Sequence, residues 1–412
     1  MKFSRIASAL LVFVIFGIGA FLLDILADDS GRAWQVFLIN LLFFSAVGQS
    51  GPVFAAIYHL TEARWGGRVI RLALGFGSFL PISFVLFAVL LAGFPFLPGH
   101  SAEYPGREFW FQRPFIFGRN VLGLAVLYSV SLVFLYRFLN APLRDGSDND
   151  NITETNDYGT AAERRLAEGR RKHDRRALTS LAVAVLILYA VVFSLIGFDL
   201  VMALDHRWYS TLFGAYFFMS SFYVGLSAIT ATVILARKYL QPRDQVQAIA
   251  LWDLAKLVFA FCLLTAYLLW SQYIVTWYGN LPEEVGFFTL RMHNASWAWL
   301  TWTALALIFA IPFLALLSRR AKRNSSILGI VSIIALIGMW IERYLLVAPS
   351  LALTPGPRLG WIETITTATF LAAMALSYGV YIRVILPRWT GTRMSASITG
   401  CKKRMQGTEQ TI

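Results

Sequence analysis

Two cysteines in 412 residues leave this chain little metal or redox chemistry of its own. Cys262 falls in an apolar run and Cys401 in a basic tail, so a bilayer keeps them apart. Neither C-x-x-C nor C-x-x-C-H occurs, which removes any Fe–S ligand set and any c-type haem attachment. Histidine is scarce as well, with five in the chain. A b-type haem between spans usually takes two at membrane depth. His59 ends an apolar run, His173 lies in a polar segment, and His100, His206 and His293 sit near the opposite boundary. No Gly-rich phosphate loop is present, and no polar segment is large enough to bind a nucleotide, which argues against ATP-driven transport by this chain alone. Charge is thin at 14%.

What fills the chain is apolar sequence. Hydrophobic residues reach 57% and mean hydropathy is +0.61. A membrane span needs roughly 20 mostly apolar residues. Runs near 5–26, 34–60, 69–93, 116–139, 177–203, 211–236, 248–276, 294–317, 326–349 and 359–386 satisfy this. Lipid offers no partner to backbone N–H and C=O groups, so continuous runs of this length predict helices. A β-barrel would show short alternating segments instead. The expected fold is an all-α polytopic membrane protein of about ten transmembrane helices. The first run, preceded by Lys2 and Arg5, is read as a retained span rather than a signal peptide.

Charge orients the spans. With the N-terminus cytoplasmic, 27 Lys and Arg fall on the cytoplasmic side and 8 on the other. Both termini are then cytoplasmic, and the expected location is a bacterial inner membrane. The net charge of +13 follows from this asymmetry and an anionic lipid surface, and needs no nucleic acid partner. The chain divides into spans one to four (1–140), a cytoplasmic polar linker (141–176), spans five to ten (177–388) and a basic cytoplasmic tail (389–412). The linker opens acidic and ends basic (Arg164, Arg165, Arg170, Arg171, Lys172, Arg175, Arg176), its second part reading as a short surface helix.

Ionisable and hydroxyl groups within spans are the functional candidates, because lipid makes them costly. Asp199 closes span five, followed by Asp205 and His206, whose imidazole titrates near pH ~6.5 when unperturbed. These groups suit proton release at the outer surface; an ordinary solvated turn is the other reading. In span six, Tyr216, Ser220, Tyr223, Ser227 and Thr230 recur at steps of four and three and form one helical stripe. Either it packs against neighbouring helices or it lines a proton path. Asp253 and Lys256 share a face of span seven at i, i+3, with Tyr267 and Ser271 further out. Snorkelling of Lys256 competes with a buried pair. The stripe is expected to face Asp253, Lys256 and Tyr267. Glu342 and Arg343 point about 100° apart on a helix, so partners on different neighbours are expected. Together with Glu363 they suggest a polar pocket in the outer half. Gly75–Pro81 is the one good candidate for a broken span.

Three blocks together carry a family resemblance. The first runs from Phe198-Asp199 through Asp205-His206-Arg207-Trp208 to Tyr216-Phe217-Phe218. The second is Asp253-Leu254-Ala255-Lys256 with Trp270-Ser271-Gln272-Tyr273 and Trp277-Tyr278-Gly279-Asn280-Leu281-Pro282-Glu283-Glu284. The third is Trp340-Ile341-Glu342-Arg343-Tyr344 with Pro349-Ser350. Gly51-Pro52, Trp65 and Arg68 agree more loosely. These blocks resemble the NrfD/PsrC-like integral membrane subunits, most of all the ActF subunit of alternative complex III. The resemblance implies two four-helix bundles, spans two to five and six to nine, flanked by spans one and ten. It implies a membrane subunit of a quinol:electron-acceptor (cytochrome c-type) oxidoreductase, with a quinol-proximal pocket or a proton path and no metal of its own. It implies no cofactor bound by this chain, with quinol or quinone as the candidate ligand; haem c and Fe–S clusters belong to partner subunits. Those partners are a sister NrfD-like membrane subunit, an Fe–S/molybdopterin-like subunit and multihaem cytochrome c subunits. A stand-alone secondary transporter and the membrane anchor of a polysulfide- or nitrite-reductase-type complex are the alternatives.

Overall fold

A computed structural model describes residues 2–26, 30–63, 65–93, 95, 108–140, 161–205, 207–237, 248–351, 353 and 356–385. The described residues are 92% helical, with no strand among them. Ten helical stretches are long and apolar enough to cross a membrane. Their limits follow the apolar runs within a few residues. The chain is an all-α polytopic membrane protein.

The single-helix spans are α1 (Lys2–Leu26), α2 (Ser30–Leu60), α6 (Arg113–Asn140), α7 (Ala161–Leu200), α8 (Phe213–Arg237), α9 (Ala248–Gly279), α14 (Ser325–Leu351) and α15 (Trp361–Val380). Span three is α3 (Gly67–Leu74), a 3₁₀ turn at Gly75–Phe79 and α4 (Leu80–Gly93). Span eight is α11 (Ala295–Leu305), a π turn at Ala306–Ala310 and α12 (Ile311–Leu317). Three short helices lie between spans: α5 (Glu108–Phe111), α10 (Pro282–Met292) and α13 (Arg319–Arg323).

Packing sorts the spans into two groups of four. α2, α4, α6 and α7 pack on one another, as do α8, α9, the α11–α12 span and α14. The groups meet where α8 crosses α2 and α7, and α14 crosses α2. α1 and α15 pair on the flank. Burial follows: the most apolar window of α2 is 94% buried and that of α1 only 6%. α2 is the central post, and α1 keeps its apolar side chains for lipid.

The α2–α8 crossing depends on small residues, as helix contacts in membranes commonly do. A Cβ on Gly225 would stand 2.0 Å from the Ser50 Cβ; Gly51 serves the neighbouring α2–α3 contact in the same way, where a Cβ would stand 2.4 Å from the backbone oxygen of Ala73. Gly225→Val is therefore expected to split the two bundles or shift them apart. A loss of folded protein in detergent size-exclusion chromatography checks this, and wild-type behaviour would contradict the crossing.

Both broken spans trace to proline. Pro81 has no N–H to offer the Gly77 carbonyl, and the Leu80 N–H takes that oxygen in a tighter turn. Pro312 likewise frees the Ile308 carbonyl, which accepts from the Tyr223 hydroxyl at 3.1 Å and the Cys262 thiol at 3.4 Å. The break at Gly75–Phe79 falls where the sequence pointed. The π turn does not announce itself, because its repair comes from other helices.

One sequence expectation changes here. The basic part of the linker is not a separate surface helix: α7 runs unbroken from Ala161 into span five, because Glu, Arg and Ala favour helix and nothing interrupts them. The acidic part of the linker and the tail from 389 lie outside the described residues.

Candidate functional site

Four ionic clusters gather toward the end of the bundle where α2, α8 and α15 begin and α7 and α14 finish. The deepest joins α14 to α8. Glu342 and Arg343 lie about 12 Å in from the end of α14, at 1.5 Å per residue. Arg343 Nη1 donates to both Glu342 oxygens, at 3.1 and 2.9 Å. The Tyr216 hydroxyl donates to Glu342 Oε1 at 2.5 Å. Arg343 Nη2 donates to Ser220 and Ser221 at 2.9 and 3.1 Å, and the guanidinium rests 4.4 Å above the Phe217 ring. Arg343 is wholly buried, and Glu342 is 6% exposed.

This corrects the expectation of partners on different helices. Flexible side chains from adjacent positions fold back and pair, and both then address α8. The small Ser220 and Ser221 leave space for the guanidinium. Among the described groups, Glu342 Oε2 accepts only from Arg343, so this oxygen has a lone pair to spare.

The second cluster binds Asp199. Arg119 grips both carboxylate oxygens, with Nε to Oδ2 at 2.7 Å, and Asn120 Nδ2 donates to Oδ2 at 2.6 Å. Arg119 also donates to the Trp110 carbonyl at 3.0 Å and lies 4.2 Å from its ring. Asp199 is thus a carboxylate clamped between α6 and α7. Asp205 accepts from the Arg207 N–H at 3.2 Å in a surface turn, and His206 lies outside the described residues.

The third cluster is separate from the first. Glu363 takes Arg32 through both oxygens at 2.9–3.0 Å and caps the start of α15 by accepting from the Gly360 N–H at 2.8 Å. The expected shared pocket of Glu342, Arg343 and Glu363 is therefore two sites, because Arg32 from α2 claims Glu363 first.

The fourth was missed. Arg291, on α10, is buried and donates to the carbonyls of Leu345, Phe287 and Leu346 and to the Ser350 hydroxyl, at 2.6–3.3 Å. Leu345 is the carbonyl that Pro349 leaves without its helical donor. Burial lowers the Arg291 pKa from its usual value, and the Asp205 carboxylate opposes that shift. Phe287 stacks between this guanidinium and the Trp208 ring, at 3.5 and 3.9 Å. Arg291→Leu is expected to loosen the α10–α14 junction and expose its tryptophans to a collisional quencher; unchanged quenching would contradict a locking role.

The span-six stripe is buried at all five positions. Its partners differ from the expected ones. Tyr216 and Ser220 meet α14, Tyr223 meets the π turn of span eight, and Thr230 bonds its own helix through the Leu226 carbonyl at 2.7 Å. α9 turns Cys262 and Thr265 inward, both nearly inaccessible. Tyr267 is 64% exposed and faces away. Asp253 and Lys256 do pair, at 2.5 Å, but near the opposite end and with Lys256 half exposed. Helix α9 is rotated so that Leu254, Val258, Cys262 and Thr265 are buried, and this carries Tyr267 outward.

A family model described as polysulphide reductase, NrfD, matches residues 25–355. The chain belongs to the NrfD family. Members are membrane subunits of quinone-interacting oxidoreductase complexes and typically partner with Fe–S/molybdopterin-type subunits. No curated protein matches the sequence. The matched region contains every residue of the Glu342–Arg343–Tyr216 cluster, the Asp199 clamp and the Arg291 lock, but not Glu363.

Arg119, Asn120 and Arg32 were legible only as charges or amides near a boundary. The signal available was depth. Arg119 stands about as far into span four as Asp199 stands from the end of span five, and opposite charges at equal depth on consecutive antiparallel spans are natural partners.

Proposed function

We propose that this NrfD-family chain is an ActF-like membrane subunit of a quinol:electron-acceptor oxidoreductase of the alternative complex III kind. Glu342 serves as its proton-handling group. The observation that carries this is one buried carboxylate with a fixed orientation and an oxygen to spare. Tyr216 and Arg343 hold Oε1, and Oε2 faces Arg343 alone among the described donors. Quinol oxidation releases two protons and two electrons. The electrons leave through haem c and Fe–S centres in partner subunits. The protons need an acceptor near the quinol hydroxyls, and a carboxylate in a water-poor site provides one.

Each cluster has a part in this reading. Arg343 fixes Glu342 in place. Tyr216 offers a hydroxyl through which a proton can pass toward Ser220 and Tyr223. The Asp199–Arg119 clamp and the Arg32–Glu363 pair hold the outer ends of α2, α6, α7 and α15 in register around the approach. Asp205 and His206 are the proton-release groups. Asp253 and Lys256 stand at the opposite end of the bundle, where a proton path would begin. Both termini are cytoplasmic in this arrangement, so the clusters lie toward the outer side of a bacterial inner membrane. A stand-alone transporter would use its broken helices to expose backbone carbonyls to a ligand. Here the Gly77 and Ile308 carbonyls already have protein donors.

Purification from native membranes tests the assignment. The chain is expected to co-elute with a sister NrfD-like subunit, an Fe–S/molybdopterin-like subunit and multihaem cytochromes c, visible as a reduced haem spectrum. A chain that elutes alone, without haem or Fe–S iron, removes this reading.

A further inference from the structure

The opposite end of the bundle carries a feature unrelated to quinol chemistry. Span eight ends at Leu317, and span nine starts at Ser325. Between them α13 reads Arg-Arg-Ala-Lys-Arg, four cations in five residues. Ala321 is its buried anchor, and Arg319, Arg320 and Arg323 are exposed. Two of the cations rest on aromatic faces of α9. Lys322 Nζ is 4.1 Å from the Phe259 ring, and Arg323 Cζ is 5.2 Å from the Trp252 ring. Lys256 adds a fifth cation near the same Trp252 ring, at 5.9 Å. Asp253 pairs with Lys256 at 2.5 Å, and no described carboxylate lies within ion-pair distance of Arg319, Arg320, Lys322 or Arg323.

The surroundings say what would neutralise them. α13 touches the end of α12 and the start of α9, so it sits where apolar span gives way to polar surface. Directly along those helices, Leu314, Leu317 and Ile249 are 68%, 58% and 65% exposed. A cationic rim above an exposed apolar flank matches an amphiphile with an anionic head and acyl chains. A protein partner would not need that flank to continue down the spans. The aromatic platforms hold Lys322 and Arg323 in place with their N–H groups still able to donate.

We propose that α13, with Trp252 and Phe259 of α9, forms a binding site for the phosphate headgroup of an anionic phospholipid. The acyl chains lie along Leu314 and Leu317. This reading is independent of the quinol assignment.

The test uses the purified complex in nanodiscs of phosphatidylcholine with a titrated share of phosphatidylglycerol, bound lipid being read by native mass spectrometry. Lys322→Gln/Arg323→Gln is compared with Arg176→Gln/Arg237→Gln, which removes equal charge from the same end. About fivefold per removed cation is the ceiling, roughly 30-fold for two, and a 10–30-fold weaker phosphatidylglycerol affinity is expected for the first pair only. Lys322→Arg/Arg323→Lys is expected to keep the affinity. If the double variant does not assemble, Arg320→Gln alone is expected to weaken binding several-fold. Equal loss in both pairs, or loss in neither, overturns the site in favour of diffuse surface charge. Inorganic phosphate that displaces the lipid at millimolar concentration overturns the lipid assignment in favour of a free-anion site.

Discussion

Glu342→Leu is expected to cost more stability than Arg343→Leu. Both remove one partner of a buried ion pair, a change worth about 3–5 kcal/mol when the remaining charge has no relief. Relief differs between the two. With Arg343 gone, Glu342 can take up a proton and shed its charge, keeping Tyr216 as a hydrogen-bond partner at 2.5 Å. With Glu342 gone, Arg343 stays charged, since a guanidinium does not deprotonate in proteins. It keeps only Ser220, Ser221 and the Phe217 face, and its Nε has no partner among the described residues even in the wild type. Glu342→Leu/Arg343→Leu should recover much of the loss, because it removes both charges from the core. Thermal melting in detergent, read by size-exclusion chromatography, orders the three variants. If Arg343→Leu proves the least stable, the charge argument fails.

The second large effect concerns turnover. In Glu342→Gln the amide oxygen still accepts from Tyr216 or Arg343, so the complex should assemble. What it loses is the capacity to accept a proton. General-base groups contribute about 10²–10⁴-fold to rate, and a fall of about 10²-fold in quinol-dependent turnover per assembled complex is expected. Glu342→Asp should restore part of it, with a shorter reach. Asp199→Asn serves as the contrast: Asp199 is clamped by Arg119 and Asn120, so its loss should show in stability before it shows in turnover. Normal turnover in assembled Glu342→Gln complexes would leave this cluster a purely structural pair.

Much of the architecture could be read locally. Each apolar run had to become a helix, because a bilayer offers the backbone no other partners. The run lengths gave ten spans, and the structure has ten among its described residues. The 3.6-residue period put Tyr216, Ser220, Tyr223, Ser227 and Thr230 on one face, and that face is buried. Asp253 and Lys256, which share a face at i, i+3, do pair, with Lys256 half exposed. The proline at position 81 marked a break that is there.

Partner choice was decided only in three dimensions. Periodicity says which residues share a face but not which helix that face meets, since this depends on the rotation and offset of neighbouring spans. A rotation of α9 turned Tyr267 outward and brought Cys262 to the stripe. Arg119 looked like a loop charge until α6 placed it against Asp199, and Arg32 until α2 placed it against Glu363. The π turn in span eight and the Arg291 lock both answer carbonyls that prolines leave open, and their donors lie 85 and 54 residues away in the chain. The spans follow from each segment's transfer into lipid, a property that residues carry one by one. The sites follow from buried polar groups that must find donors and acceptors on other helices, and that matching exists only once the bundle has closed.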